Sequence, residues 1–139
     1  MNTKPFSFGG TETFSARPAI APAETAQTKV WKGDFGRDYT DRNTLAVEAL
    51  DSLYLKNYGL TRTAINRDFL RGISHGASFL EVGCNSGNQL LLLQRMGYSN
   101  FSGIELQPYA LDVARSRAPN ISLSGLVSSS CNRIQREVD

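Results

Sequence analysis

The sequence predicts an α/β domain in which parallel strands are flanked by helices. Two observations carry this reading. Apolar runs of strand length alternate with helical patterns over residues 77–125, and the first run, FLEV, breaks into a loop with glycines at Gly83 and Gly87. A β-α-β-α-β succession implies a parallel sheet with right-handed crossovers. No internal repeat is evident.

Residues 1–29 are rich in Ser, Thr, Ala, Pro and Gly and show little periodicity, so a flexible N-terminal extension is expected. Residues 30–76 read as an aromatic arm followed by helices. In the arm, Trp31, Phe35 and Tyr39 would line one face of a helix, but Gly33 and Gly36 argue against regular helix. An irregular arm anchored by its aromatics is therefore expected. It would serve as a clamp on the domain, or as a lid that uses Trp31, Tyr39 and Arg42 to exclude water. Next, Ala46, Leu50, Leu53 and Tyr54 fall at helical spacing, with Asn43 as N-cap and Gly59 as stop. A second helix places Ile65, Phe69 and Ile73 on one face and ends near Gly72 or Gly76.

The period then changes. Residues 79–82 read as a buried strand, and residues 89–96, with four consecutive leucines from Leu90 to Leu93, as a buried helix closed by Gly97. Residues 101–106 read as the next strand. Pro108 opens a helix that buries Ala110, Leu111 and Ala114, sets Arg115 and Arg117 at its negative pole and stops at Pro119. Residues 120–124 suit a third strand, and residues 126–139 an irregular tail.

Composition excludes several classes. At 139 residues the chain holds one domain at most, and 15 Lys+Arg against 13 Asp+Glu leave a net charge of only +2. No run of five or six like charges occurs, so nucleic acid is not expected as a partner. Cys84 and Cys131 are far apart and match no disulfide framework or metal-ligand spacing, which makes a reducing, cytoplasmic setting the default and a metal unexpected. Glu12 and Glu24, in a segment without a continuous apolar run, speak against a secretory signal or an acid-poor transit peptide. No span suits a membrane helix, so a soluble protein without a membrane partner is expected.

A strand that feeds a glycine loop suits a cofactor with a ribose and a tail. Such a ligand needs a turn whose backbone approaches closely, and an acceptor for ribose hydroxyls one strand later. Gly83 and Gly87 supply the first, and Glu105 the second. The dinucleotide fingerprint would want glycine at the positions of Asn85 and Asn88, and a phosphate loop would want Gly-Lys where Asn88 and Gln89 stand. What remains is Glu81, Gly83, Asn85 and Gly87 in an acid-x-Gly-x-Asn-x-Gly pattern. Asn85 suits the middle position because Asn enters left-handed backbone readily. Cys84 has no histidine placed nearby and reads as a small buried residue rather than a nucleophile. His75, the sole histidine, reads as a loop residue. Other readings of the same residues are a tight turn that binds nothing and, for Glu105, a solvated strand end.

This pattern resembles the first motif of class I S-adenosylmethionine-dependent methyltransferases, over roughly residues 78–124. The resemblance implies a Rossmann-like fold, an enzyme, and S-adenosylmethionine as cofactor. It implies that Glu81 helps hold the cofactor's amino-acid end, with Gly83, Cys84, Asn85 and Gly87 lying against it. Glu105 would take the ribose, and Leu106 and Gln107 would border the adenine. The arm, as W-x-G-x-F-G-x-x-Y-x-x-R-N, is similar to the methylases associated with pseudaminic acid biosynthesis, which implies a small-molecule, sugar-like acceptor. In the resembled family the substrate side is built after the third strand. The chain is thus expected to hold the N-terminal half only, with an open edge at residues 79–82 and weak activity or none. Catalytic residues and oligomeric state are not assigned. Two alternatives remain: a non-catalytic cofactor-binding or interaction module, and an NAD-binding Rossmann oxidoreductase.

Overall fold

The computed structural model describes residues 24–125. Cys131, the tail expected over 126–139 and most of the expected extension lie outside them. The elements run α1 Ala26–Lys32, α2 Asp34–Asn43, α3 Val47–Tyr58, α4 Arg62–Phe69, β1 Ser78–Val82, α5 Asn88–Arg95, β2 Asn100–Glu105, α6 Pro108–Arg117 and β3 Ser122–Gly125. The strands form one parallel sheet in the order β1-β2-β3. The fold is therefore α/β, with three parallel strands and helical crossovers, as the alternating periods predict.

Register explains which side of the sheet is covered. Phe79 pairs with Phe101, Glu81 with Gly103, and Gly103 with Leu123, which places these side chains on one face. That face carries the core, where Cys84, Leu90, Leu93, Tyr98, Phe101, Ala118 and Ile121 pack together. Gly103 admits this packing. A Cβ there would meet Leu123 Cδ2 at 2.7 Å, Cys84 Sγ at 2.9 Å and Leu90 Cδ1 at 3.0 Å. The opposite face carries Leu80 and Val82, which are 57% and 70% exposed, beside Ser102, Ser122 and Ser124. The expectation of a buried first strand is thus corrected. Among the described residues β1 is an edge strand with one face covered, and its side chains alternate between the two environments.

Helix ends follow local chemistry. Thr25 and Thr61 cap α1 and α4 through their hydroxyls, and Gln107 caps α6, whose first residue is Pro108. Gly59 ends α3 in the left-handed conformation, as its sequence position predicts.

Four other expectations are corrected. The arm is not irregular, because α1 and α2 are both regular helices that meet at Gly33. Helix α1 begins at Ala26, inside the segment expected to be flexible. Asn43 closes α2 rather than capping α3, whose N-cap is Ala46. Finally, α4 stops at Phe69, and that ring is 83% exposed, so Ile65, Phe69 and Ile73 do not form one buried face.

Candidate functional site

The loop between β1 and α5 is bent by three successive left-handed positions: Gly83 at φ 77°, Asn85 at φ 46° and Gly87 at φ 77°. Asn85 is the one non-glycine residue with positive φ among the described residues, which agrees with its reading as a tolerated substitute for glycine. Its side chain stabilises the turn. Oδ1 accepts from Ser86 N at 2.7 Å, and Nδ2 donates to Thr40 Oγ1 at 3.0 Å.

Glu105, at the end of β2, is 8% exposed and already engaged. Its Oε2 accepts from Asn85 N at 2.7 Å, and its Oε1 from Leu106 N at 2.7 Å and Gln107 N at 2.8 Å. A carboxylate offers about four acceptor directions, so one remains. A ribose diol that donates twice must displace one of these backbone bonds. Glu105 is therefore no solvated strand end: it ties the glycine loop to the second strand.

Gln107 is committed too. Its Nε2 lies 3.1, 2.9 and 3.0 Å from the carbonyls of Trp31, Lys32 and Gly33, and its Oε1 accepts from Tyr109 N. The amide thus satisfies the orphan carbonyls at the end of α1 while capping α6. Gly36 packs against the same place, since a Cβ on it would fall 1.9 Å from Trp31 O. Further along the arm, Tyr109 Oη donates to Asp41 at 2.6 Å, and Arg37 stacks on the Tyr109 ring at 4.7 Å. Asn88 Nδ2 donates to Asn43 O. Arg117, expected only to complement its helix pole, donates to Ser86 O and Asn88 Oδ1 at 2.7 Å each and to Leu45 O. These bonds dock the arm on the loop as a clamp, with Trp31 edge-on to Phe35 and Tyr39.

Docking borders an open cleft of about 260 Å³ over the loop, lined by Tyr39, Leu50, Tyr54, Arg62, Glu81 and Asn85 among others. Glu81 Oε2 is buried there without a hydrogen-bond partner. Burial, opposed by nearby Arg62 and reinforced by Glu105, pushes its carboxyl up to about 7. Cys84 is 3% exposed, and burial raises its thiol to about 12, so it is a packing residue and not a nucleophile. His75 lies elsewhere. It stacks on Tyr98 at 4.8 Å in a larger cavity of about 490 Å³ under α4, which holds no buried acid and none of the loop. Sequence reasoning missed Arg62, Tyr54, Thr40, Asn88 and Arg117, since a polar residue on a helix carries no signal of which distant loop it meets.

Among the described residues no helix is long and apolar enough to cross a membrane, and no group of three or more His, Cys, Asp or Glu is placed to hold a metal. No protein-family model matches the chain. The chain is similar to the ribosomal protein L11 methyltransferase of Dechloromonas aromatica (strain RCB), 28% identical over 69 residues, which are 50% of this chain and 23% of that protein. A solved structure of an amino pentose methyltransferase with bound SAM, from calicheamicin biosynthesis in Micromonospora echinaspora, is 23% identical. That likeness covers 66% of this chain and 33% of the other, with a TM-score of 0.39. DesVI of Streptomyces venezuelae is 22% identical over 59% of this chain and 36% of its own, with a TM-score of 0.40. The chain thus spans about a quarter of the length of the curated relative and about a third of these structures.

Proposed function

We propose that this chain serves methyl transfer from S-adenosylmethionine to a small-molecule acceptor. One observation carries the reading: a left-handed Gly83-Asn85-Gly87 turn lies beside a buried, unpartnered Glu81 carboxylate oxygen and is tied to Glu105 one strand later. The similarity to a curated methyltransferase supports it. The residues fit such a donor. Glu81 offers an acceptor for its ammonium, and the turn at Gly83, Cys84, Asn85 and Gly87 offers close backbone approach. Glu105 keeps one acceptor direction for a ribose hydroxyl, and Leu106 borders the same edge. Gln107 contributes through its position at the start of α6, because its amide is held by α1. When bound, the donor would supply a methyl group on an activated sulfonium, so the protein's part is mainly alignment. The similarity of the arm to methylases of pseudaminic acid biosynthesis supports a nonulosonic sugar acceptor.

The test is calorimetric titration of the 139-residue chain with S-adenosylhomocysteine and with NAD, followed by an assay of S-adenosylhomocysteine release with candidate nonulosonic sugars. Preference for S-adenosylhomocysteine is expected. Equal or tighter NAD binding would favour the oxidoreductase reading, and binding without turnover the non-catalytic module.

A further inference from the structure

A second open cleft, of about 490 Å³, lies at the opposite end of the sheet from the glycine loop. It is formed by the last turn of α4, the connection to β1 and the turn before β2. His75 and Tyr98 stand before β1 and β2, whereas Gly83 follows β1 and Glu105 ends β2, so roughly 15 Å of strand separates the two places. The two clefts share no lining residue.

Its walls are of two kinds. One is aromatic and apolar: Tyr98 is held edge-on to Phe79 at 4.9 Å, His75 stacks on Tyr98 at 4.8 Å, and Met96 and Ile73 line the same cleft. Ile73 is 46% exposed, so this wall is only partly covered. The other wall is cationic. Arg67 enters no ion pair among the described residues. Arg71 pairs with Asp68 at 2.7 Å, but both side chains are mostly exposed, and a pair of that kind is weak enough to exchange for a ligand. The ordinary reading of Arg67 is that it complements the C-terminal pole of α4. That reading accounts for one guanidinium, and for neither Arg71 nor the aromatic wall.

A bare anion would meet the guanidiniums and leave the rings uncovered, and a neutral ring would do the reverse. Both walls are satisfied by a ring that carries its own anion. Each guanidinium presents a fork of N–H donors, and a phosphate monoester has three terminal oxygens to share between two forks, where a carboxylate has only two. We propose that the cleft under α4 binds a small aromatic phosphate, its ring against Tyr98 and His75 and its phosphate between Arg67 and Arg71. The volume lies in the range of small-molecule sites. Because the cleft is remote from the glycine loop, this ligand is not the methyl acceptor, and the assignment does not rest on the function proposed above.

His75 is the sole histidine, so its ring protons give single, assignable NMR signals beside the face that the ligand's ring would cover. The 139-residue chain is titrated at constant pH and ionic strength with phenyl phosphate, with inorganic phosphate and with benzyl alcohol. Phenyl phosphate should shift the His75 signals saturably and bind at least about 10-fold more tightly than either fragment, the scale of a charge-assisted hydrogen bond. Combining Arg67→Gln with Arg71→Gln should weaken phenyl phosphate by about 10-fold or more and leave benzyl alcohol unchanged. Trp31 emission should not respond, since the arm docks on Gln107 at the other end of the sheet. Parity of phenyl phosphate with inorganic phosphate would show a bare anion site, parity with benzyl alcohol a bare apolar patch, and either overturns the proposal. So would a double variant that binds phenyl phosphate as its parent does, or the absence of a saturable shift at His75. Should the double variant fail to fold, the ranking of the three probes on the parent chain decides alone. A response at Trp31 without one at His75 would put the probe at the glycine loop and overturn the cleft under α4 as its site.

Discussion

Replacing Glu81 by Gln should make the ligand-free protein more stable at neutral pH and less stable relative to its parent as acid is added. The Glu81 carboxyl is raised from its ordinary 4.5 to about 7, chiefly by burial. An acid with a raised folded pKa favours the folded state while it is protonated. Its contribution is therefore complete below pH 4.5, is lost as pH rises from 4.5 through about 7, and is constant above that. A rise of this size corresponds to about 3 kcal/mol at most. The cavity admits water, so screening should reduce the observed effect to about 1–2 kcal/mol. Gln keeps the shape and does not titrate. The stability of Glu81→Gln minus that of the parent should thus climb by about 1–2 kcal/mol between pH 4.5 and about 8.

Urea unfolding at several pH values, followed by emission of Trp31, the sole tryptophan, measures this difference directly. Every other titrating group is common to the two proteins and cancels to first order. A difference that is flat with pH, or that falls as pH rises, would refute the assignment of a buried, uncompensated carboxyl at Glu81. A saturating amino-acid ligand should reverse the ranking, because an ammonium stabilises the ionised parent and gains less from the neutral variant.

Three further outcomes follow from named contacts. Glu105→Ala strands the N–H groups of Asn85, Leu106 and Gln107 and should lower stability by about 1–3 kcal/mol by urea unfolding, besides weakening nucleoside binding. Gly103→Ala drives a Cβ to within 2.7 Å of Leu123 and 2.9 Å of Cys84, an overpacking that should cost about 1–3 kcal/mol in the same assay. Gly36→Ala cannot keep α2 in place against Trp31 O, 1.9 Å from the new Cβ, so the arm should undock. A red shift of Trp31 emission and faster proteolysis near residues 31–43, with the unfolding midpoint of the sheet little changed, would report this.

The elements that sequence disclosed best are those whose signals are local. Gly97 after four leucines, Pro108 at a helix start and Gly59 at a helix end each act on the residues beside them, and α5, α6 and the end of α3 fall where these residues place them. The two glycines of the arm misled for the same reason. Gly33 does end a helix, but Gly36 sits within the next one, chosen for the close approach of Trp31 O rather than for backbone freedom. That approach joins residues five apart and is set by how α1 and α2 meet at Gly33, which the propensity of Gly36 alone does not reveal. Residues 79–82 misled because an apolar run shows that a strand can be covered on both faces, not that it is. Within the site, Glu81, Gly83, Asn85, Gly87 and Glu105 were legible from spacing, whereas Arg62 depends on α4 being turned toward α5, which Gln89 and Asn66 decide.

The two ends of the site also differ in readiness. At the Glu105 end the loop is held before any ligand arrives: three backbone bonds fill most of one carboxylate, Gln107 is spent on the arm, and Asn88 and Arg117 fasten the loop to the last residue of α2 and to Leu45 beyond it. A ligand there meets a fixed backbone and must displace a bond already made. At the Glu81 end the charged groups are in place but unsatisfied, with a cavity between them. Electrostatic gain on binding is therefore concentrated where the amino acid would sit, while the loop contributes shape with little reorganisation. Recognition beside this three-stranded sheet would then depend more on the charged tail of a ligand than on its ribose. Docking the arm matters to it directly, because Tyr39 and Asn43, which line that cleft, belong to α2.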